Sequence, residues 1–237
     1  MNLLLFAAEE LHRDDLLHLA GRRARHVRQV LRAQPGDHLR VGQINGQVGF
    51  AEVVELSGEQ VTLRCSLDQP PPPKLPLTII LALPRPKMLR RILRTVAELG
   101  VAELWLIHSW KVEKSYWQSP LLAPEACRRA LLEGLEQARD TVVPELHLRR
   151  LFKPFVEDEL PAVRRGRGLL AHPGSARPCP VDLDGPATLV IGPEGGLTDY
   201  ECRRLEEQGF EGIHLGQRIL RVETALTALT SRLFAPL

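Results

Sequence analysis

Leu189-Val190-Ile191-Gly192-Pro193-Glu194-Gly195-Gly196-Leu197-Thr198-Asp199-Tyr200-Glu201 is the stretch on which the reading of the fold turns. Its first residues are apolar and read as the end of a buried strand. A loop of three glycines and a proline follows. Thr198, with Glu201 three positions on, then has the pattern of a capped helix start. Strand, glycine-rich turn and helix in that order form a βα unit, with the turn at the end of the strand where ligand crevices of such sheets lie. Glycines there let a ligand come close to the backbone, with the helix N-terminus and the loop amides aimed at it. The same pattern also occurs as a plain tight turn, so on its own it leaves ligand binding open.

Two other segments repeat this logic. Residues 212–215 read as a strand, followed by Gly216-Gln217-Arg218-Ile219-Leu220-Arg221-Val222-Glu223-Thr224-Ala225 and an apolar C-terminal helix. Arg221 and Glu223 flank one residue, so in an extended stretch they project to the same side. Leu169-Leu170-Ala171-His172-Pro173-Gly174 is again a strand ending in a turn; a histidine placed like His172 is more often structural than catalytic. Further outward, apolar runs at 77–83, 103–107, 168–171, 188–191 and 212–215 are separated by helical spacing at 87–99, 124–139 and 199–209. This alternation predicts an α/β domain whose largely parallel sheet is covered on both faces.

That pattern starts after Asp68-Gln69-Pro70-Pro71-Pro72-Pro73-Lys74-Leu75-Pro76, which is expected to be a stiff extended connector, neither helix nor central strand. The predicted division is therefore an N-terminal β domain over 1–69, a linker over 70–76 and a larger domain over 77–237. Before the linker, residues 37–41, 47–55 and 60–65 alternate apolar and polar around Pro35-Gly36, Asn45-Gly46 and Ser57-Gly58, as in a small β-barrel or meander. The spacing over 16–35 predicts a helix. It carries Arg22, Arg23, Arg25, Arg28 and Arg32 with His18 and His26, and the arginine stretch has no acidic residue. A second basic cluster, Arg85, Lys87, Arg90, Arg91 and Arg94, lies at the start and on the outer face of the helix over 87–99, whose Leu89, Ile92, Leu93, Val96 and Leu99 turn to the core. Basic runs on helix faces are usually plain solvated surface.

The composition narrows the function classes. With 237 residues, 44% hydrophobic and 25% charged, the chain suits one small and one large globular domain. Its net charge of +2 means that attraction to nucleic acid must come from local clusters. No apolar run reaches the roughly 18–20 residues of a membrane span, and the first residues lack a signal-peptide pattern, so a cytoplasmic protein without membrane contact is expected. Cys65, Cys127, Cys179 and Cys202 are scattered without metal-ligand spacing, which argues against a zinc site or a disulfide framework; no metal is expected. A Rossmann Gly-x-Gly-x-x-Gly, a phosphate loop, a nucleophile elbow and a His-Glu-x-x-His motif are all missing.

Ile191 to Leu197, Leu215 to Ala225 and Leu170 to Pro173, with Ala97-Glu98-Leu99-Gly100-Val101, Glu136-Gln137, Val143-Pro144 and His26-Val27-Arg28-Gln29-Val30-Leu31-Arg32, closely resemble the small-subunit ribosomal RNA uridine N3-methyltransferases of the SPOUT superfamily. The segments stand in the family's order and span nearly the whole chain. The resemblance implies a trefoil-knotted C-terminal α/β domain, a PUA-like β-barrel that grips RNA, and a homodimer. It implies that S-adenosyl-L-methionine is held by the backbone around Leu170 and His172, around Gly192, Glu194 and Gly196, and around Leu215, Gly216, Ile219, Leu220 and Arg221. The substrate it implies is small-subunit ribosomal RNA or the assembled small subunit, gripped through Arg22, Arg23, Arg25, Arg28, Arg32, Arg85, Lys87, Arg90 and Arg91. A non-catalytic RNA-binding factor of the same fold, or a methyltransferase for another RNA, stays open as an alternative.

A uridine imide nitrogen is mostly protonated at neutral pH, so the site must stabilise a uridinate anion while a base takes the proton. Arg221 is the expected partner of the anion, with Glu223 and Thr224 orienting the base or the loop; alternatively Arg221 and Glu223 pair with each other and brace the fold. The chain departs from the family's usual residues at Thr95, at Ser109-Trp110-Lys111, at Val222 and at Ala138-Arg139-Asp140. These departures bear on the grip of the substrate more than on the cofactor.

Overall fold

The computed structural model of the protein describes residues 2–234. The chain forms two units: one takes the chain up to Pro72 together with Leu132–Val143, the other Pro73–Leu131 and the chain from Pro144 onward.

The first unit contains β1 (Leu4–Phe6), β2 (Leu16–Leu19), α1 (Gly21–Arg25) running into a π-helical turn at His26–Val30, β3 (His38–Gln43), β4 (Val48–Ser57) and β5 (Gln60–Gln69). The strands make a mixed sheet in the order β1-β3-β4-β5-β2, with β1 parallel to β3 and the other pairs antiparallel. Asn45 and Gly58 take the left-handed backbone that a tight reversal requires. Phe6, Leu17, Leu19, Val27, Val41, Val53, Val61 and Leu63 fill the core. The helix expected over 16–35 is corrected at its start. Leu17 and Leu19 are buried while His18 is exposed, the period-two pattern of a strand paired to β5. Gly21, at φ +59, then breaks the chain into the short helix.

Residues Leu132–Val143 group with this sheet. The amides of Asn2 and Leu3 donate to the Glu136 carbonyl at 3.2 and 3.1 Å, and the Asn45 amide donates to the Thr141 carbonyl at 2.8 Å. Gly42 leaves room for Thr141: a Cβ there would fall 2.5 Å from its methyl group.

The second unit holds β6 (Leu75–Ala82), α2 (Pro86–Glu98), β7 (Val101–Ile107), α3 (Pro124–Ala138), whose last residues belong to the first unit, and β8 (Glu145–Arg149). The chain continues through α4 (Phe152–Pro154), a π turn at Phe155–Glu159, α5 (Leu160–Val163), β9 (Arg167–Ala171), β10 (Arg177–Pro178), β11 (Ala187–Ile191), α6 (Asp199–Glu207), β12 (Phe210–His214) and α7 (Val222–Leu233). The sheet runs β10-β12-β9-β11-β6-β7-β8 with every pair parallel. Central strands β11 and β6 are buried along nearly their whole length, as a parallel sheet covered on both faces requires. On α2, Leu89, Ile92, Leu93, Val96 and Ala97 are buried, while Arg90 and Arg91 face outward.

The expectation that residues up to Pro76 stay out of a central strand is also corrected. β6 sits between β11 and β7 and includes Pro76. The missing amide is tolerated because the pairing with β7 slips between Leu75 and Thr78, while the Leu75 amide donates to the Gly100 carbonyl at 2.9 Å. Among the described residues no helix is long and apolar enough to cross a membrane.

Candidate functional site

The chain leaves β11, passes over β9 and returns as β12, so the carboxyl ends of β12, β9 and β11 stand side by side. The loops after them converge. Residues 171–174, 191–197 and 213–222 line a cavity of about 520 Å³, completed by Lys111, Ala225 and Leu229, although Gln217 does not reach it. This volume lies in the range of small-ligand sites, at the position where open α/β sheets take ligands.

The glycines shape the wall. A Cβ on Gly192 would lie 3.0 Å from the Leu197 side chain and 3.1 Å from its amide nitrogen, so a side chain there would require Leu197 to give by a few tenths of an ångström. Gly196 and Gly216 hold φ +73 and +111, which disfavour any side chain. The Gly196 amide donates to the Pro193 carbonyl at 2.8 Å, and the Gly216 amide donates to Nδ1 of His214 at 2.9 Å. Ile191, Leu197, Ile213 and Leu229 supply buried apolar lining. His172 is tied through its amide to the Ile213 carbonyl at 2.9 Å, and its ring lies 3.9 Å from the Cys202 sulfur. Burial, followed by the carboxylates of Glu206, Glu201 and Asp199, pushes the Cys202 thiol up.

Behind the glycine loop stands Glu201, 3% exposed. One carboxylate oxygen accepts from the Thr198 amide at 2.8 Å and its hydroxyl at 2.9 Å, completing the capping box; the other accepts from the Trp110 amide at 2.8 Å. Lys111 donates from Nζ to the Gly195 carbonyl at 2.8 Å. The loop after β7 is thus fastened to the glycine turn at Gly195 and to the first turn of α6 at Glu201. Glu194, also in the lining, accepts from the Arg85 amide at 3.3 Å, with the guanidinium 3.9 Å away.

Of the expected cofactor residues, His172, Gly192, Glu194, Gly196, Leu215, Gly216, Ile219, Leu220 and Arg221 line the cavity. Leu170 lies outside the lining, buried in the core one residue before the rim. Arg221 caps α7 with extended backbone and is exposed to the cavity. The extended stretch expected over 221–223 is corrected: α7 begins at Val222, so Glu223 lies in its first turn. Among the described residues no ion pair joins Arg221 and Glu223, and Thr224 is exposed on the helix outside the lining. Lys111, Arg218 and Leu229 join the site without a signal of their own in the sequence; Lys111 reaches it through a bond spanning 84 residues, which no local pattern marks.

The basic clusters are not uniform. Arg25, Arg28 and Arg32 are exposed. Arg23 instead forms a two-pronged ion pair with Glu10, part-buried on both sides, and donates to the Leu5 carbonyl at 3.1 Å. That bond holds the Glu10 carboxyl below its ordinary range. Arg22 and His26 line a polar cavity of about 250 Å³ with Glu133, Glu136 and Gln137; burial lowers the His26 ring and raises the Glu136 carboxyl. Glu103, Glu145 and His147 bring potential ligand atoms within 4.8 Å of one another. Glu103 already accepts from Thr78 at 3.0 Å and Trp105 at 2.8 Å, and His147 stacks on Trp105 at 4.0 Å, so the group ties the edge of the sheet together.

The sequence matches the profile of an RNA methyltransferase domain over residues 71–234 and that of an RNA methyltransferase PUA domain over 19–64. It is 31% identical over 241 residues to ribosomal RNA small subunit methyltransferase E of Treponema pallidum, covering 96% of this chain and 88% of that one. A protein from Legionella pneumophila, described as a methyltransferase and solved with the bound cofactor SAM, superimposes with a TM-score of 0.73 at 26% identity, covering 97% and 94% of the two chains. The ribosomal RNA small subunit methyltransferase E of Neisseria gonorrhoeae, at 22% identity, has the same fold with a TM-score of 0.74 over 98% and 95%. With the matched profile covering most of the chain, the protein belongs to the RNA methyltransferase family that includes ribosomal RNA small subunit methyltransferase E.

Proposed function

We propose that the protein transfers a methyl group from S-adenosyl-L-methionine to N3 of a uridine in small-subunit ribosomal RNA, either free or in the assembled subunit. The observation that carries this reading is the 520 Å³ cavity built by three strand-end loops, in a chain 31% identical over nearly its whole length to a protein named for that reaction class. The wall fits the cofactor: glycine backbones admit close approach, apolar side chains can cover a purine and the methylenes of the methionine chain, and Arg218 and Lys111 supply charge for its carboxylate at the lining. His172, Gly192, Glu194, Gly196, Leu215, Gly216, Ile219, Leu220 and Arg221 would hold it, with Leu170 supporting the rim from the core. When bound, the cofactor supplies an electrophilic methyl carbon, so no metal is needed.

What this chain contributes is position and charge. Arg221, exposed at the start of α7, is suited to hold a uridine carbonyl oxygen and stabilise the imide anion. Glu223 and Thr224 follow in the first turn of α7, outside the cavity lining, where they would orient the loop that carries Arg221; Glu223 is the candidate proton acceptor. Arg22, Arg25, Arg28 and Arg32, together with Arg85, Lys87, Arg90 and Arg91, would contact phosphates, which position RNA without reading its sequence. We extend the family's trefoil-knotted chain path, homodimer and cytoplasmic setting to this protein.

The test is nucleoside mass spectrometry of small subunits from a strain lacking the gene, incubated with purified protein and labelled cofactor. Label in 3-methyluridine at one position is the expected result. Label in another nucleoside, or none while the cofactor binds, would overturn the assignment.

A further inference from the structure

Trp110 is 83% exposed, matched only by Ile219 among the exposed large apolar side chains described. Trp105 and Trp117, by contrast, are buried at 6% and 8%. An exposed indole is costly surface, and one on a loose loop would be unremarkable. This one is held firmly. Its amide donates to the buried Glu201 carboxylate at 2.8 Å, and the next residue, Lys111, donates to the Gly195 carbonyl at 2.8 Å. The Val112 amide closes a turn onto the Ser109 carbonyl at 3.0 Å. The backbone carrying the ring is therefore fixed to the glycine loop that walls the cavity, on the same carboxyl edge of the sheet. Among the described residues the ring stacks on no other aromatic and takes no cation over its face.

A rigid, flat, uncovered π-face beside a cavity lined by Arg218, Arg221 and Lys111 is the combination that binds single-stranded nucleic acid: cations for the backbone, an aromatic plane for a base. We propose that Trp110 stacks on a base of the RNA substrate adjacent to the target nucleotide, holding the strand open at the mouth of the cavity. The role rests on the RNA-methylating reading above and makes Trp110 a substrate-positioning residue. It does not act on the methyl group or the proton.

The experiment compares the full-length wild type with Trp110→Ala and Trp110→Phe, using a small-subunit ribosomal RNA fragment that serves as substrate. Binding of RNA should quench the exposed tryptophan's fluorescence in the wild type, and this quench should be absent from Trp110→Phe. Trp110→Ala should raise the RNA dissociation constant and KM about tenfold, the equivalent of roughly 1.4 kcal/mol for one base stack. Its kcat and its cofactor affinity should stay within about twofold, and Trp110→Phe, which keeps a π-face, should recover most of the RNA affinity. An unchanged RNA constant in Trp110→Ala would overturn the proposal, as would an equal loss of cofactor affinity, which would mark the ring as a brace of the cavity. Shielding of the indole from iodide by raising the protein concentration alone would overturn it in favour of a second copy of the chain as the occupant. If the wild type transfers no methyl group, the reading above fails, while the binding and quenching titrations still decide the role of Trp110.

Discussion

Arg23 stands in a run of arginines that looks uniform in sequence, yet its guanidinium is engaged by Glu10 and the Leu5 carbonyl. Arg23→Ala should cost about 1–3 kcal/mol in urea unfolding, the scale of hydrogen bonds to a charged group, whereas Arg28→Ala, at an exposed site, should stay within about 0.5 kcal/mol. The pH dependence follows from the lowered Glu10 carboxyl. Its stabilising share is fully present above the ordinary value of 4.5 and is lost as pH falls through the lower folded value. Unfolding measured from pH 7 to pH 3 should show that loss in the wild type and lack this increment in Arg23→Ala. Arg221 has the opposite surroundings, exposed at the cavity with no carboxylate paired to it among the described residues. Arg221→Ala should lower methyl transfer at least a hundredfold while calorimetry finds cofactor affinity within a few fold; an active variant would remove Arg221 from the mechanism.

At the scale of the element, the start of α6 does more than cap a helix. Glu201 satisfies Thr198 twice and reaches the Trp110 amide, so one buried carboxylate joins α6 to the loop after β7. Glu201→Ala should therefore destabilise by about 2–3 kcal/mol, because it leaves buried amides without acceptors. Thermal unfolding checks this, and a change within about 0.5 kcal/mol would show that water replaces the carboxylate. In the loop itself, Gly192→Ala would press a methyl group against the Leu197 backbone. Cofactor affinity should drop about tenfold or more by calorimetry, with the far-ultraviolet spectrum unchanged. Unaltered affinity would place the binding elsewhere.

For the whole molecule, a net charge of +2 offers little long-range pull on RNA, so salt dependence should report a few local contacts. Changing Arg25, Arg28 and Arg32 together to glutamine should weaken RNA binding and flatten the slope of log K against log salt by about 1 per lost phosphate contact. Filter binding from 50 to 300 mM salt (a range of order set by practical screening) checks both effects; if neither moves, the cluster is plain solvated surface.

Much of the architecture was legible along the chain because its causes are local. The apolar runs of β6, β7, β9, β11 and β12, the Thr198–Glu201 capping box and the glycines of the cavity wall all act through neighbours a few residues away. The short alternation at Leu16–Leu19 and the edge strands β8 and β10 escaped, since such brief patterns acquire meaning only from the strand they pair with. Pro76 argued against a central strand until a slip in register accommodated it. Only the tertiary structure could distinguish Arg23 from its neighbours, reach Lys111 and Trp110 across 84 and 91 residues, and turn three separate strand ends into one cavity. The sequence by itself determined which segments become strand, turn and helix. Strand order and the long-range bonds of a few buried polar groups decided which side chains share the site, because hydrogen bonds and burial depend on distance in space and not on separation along the chain.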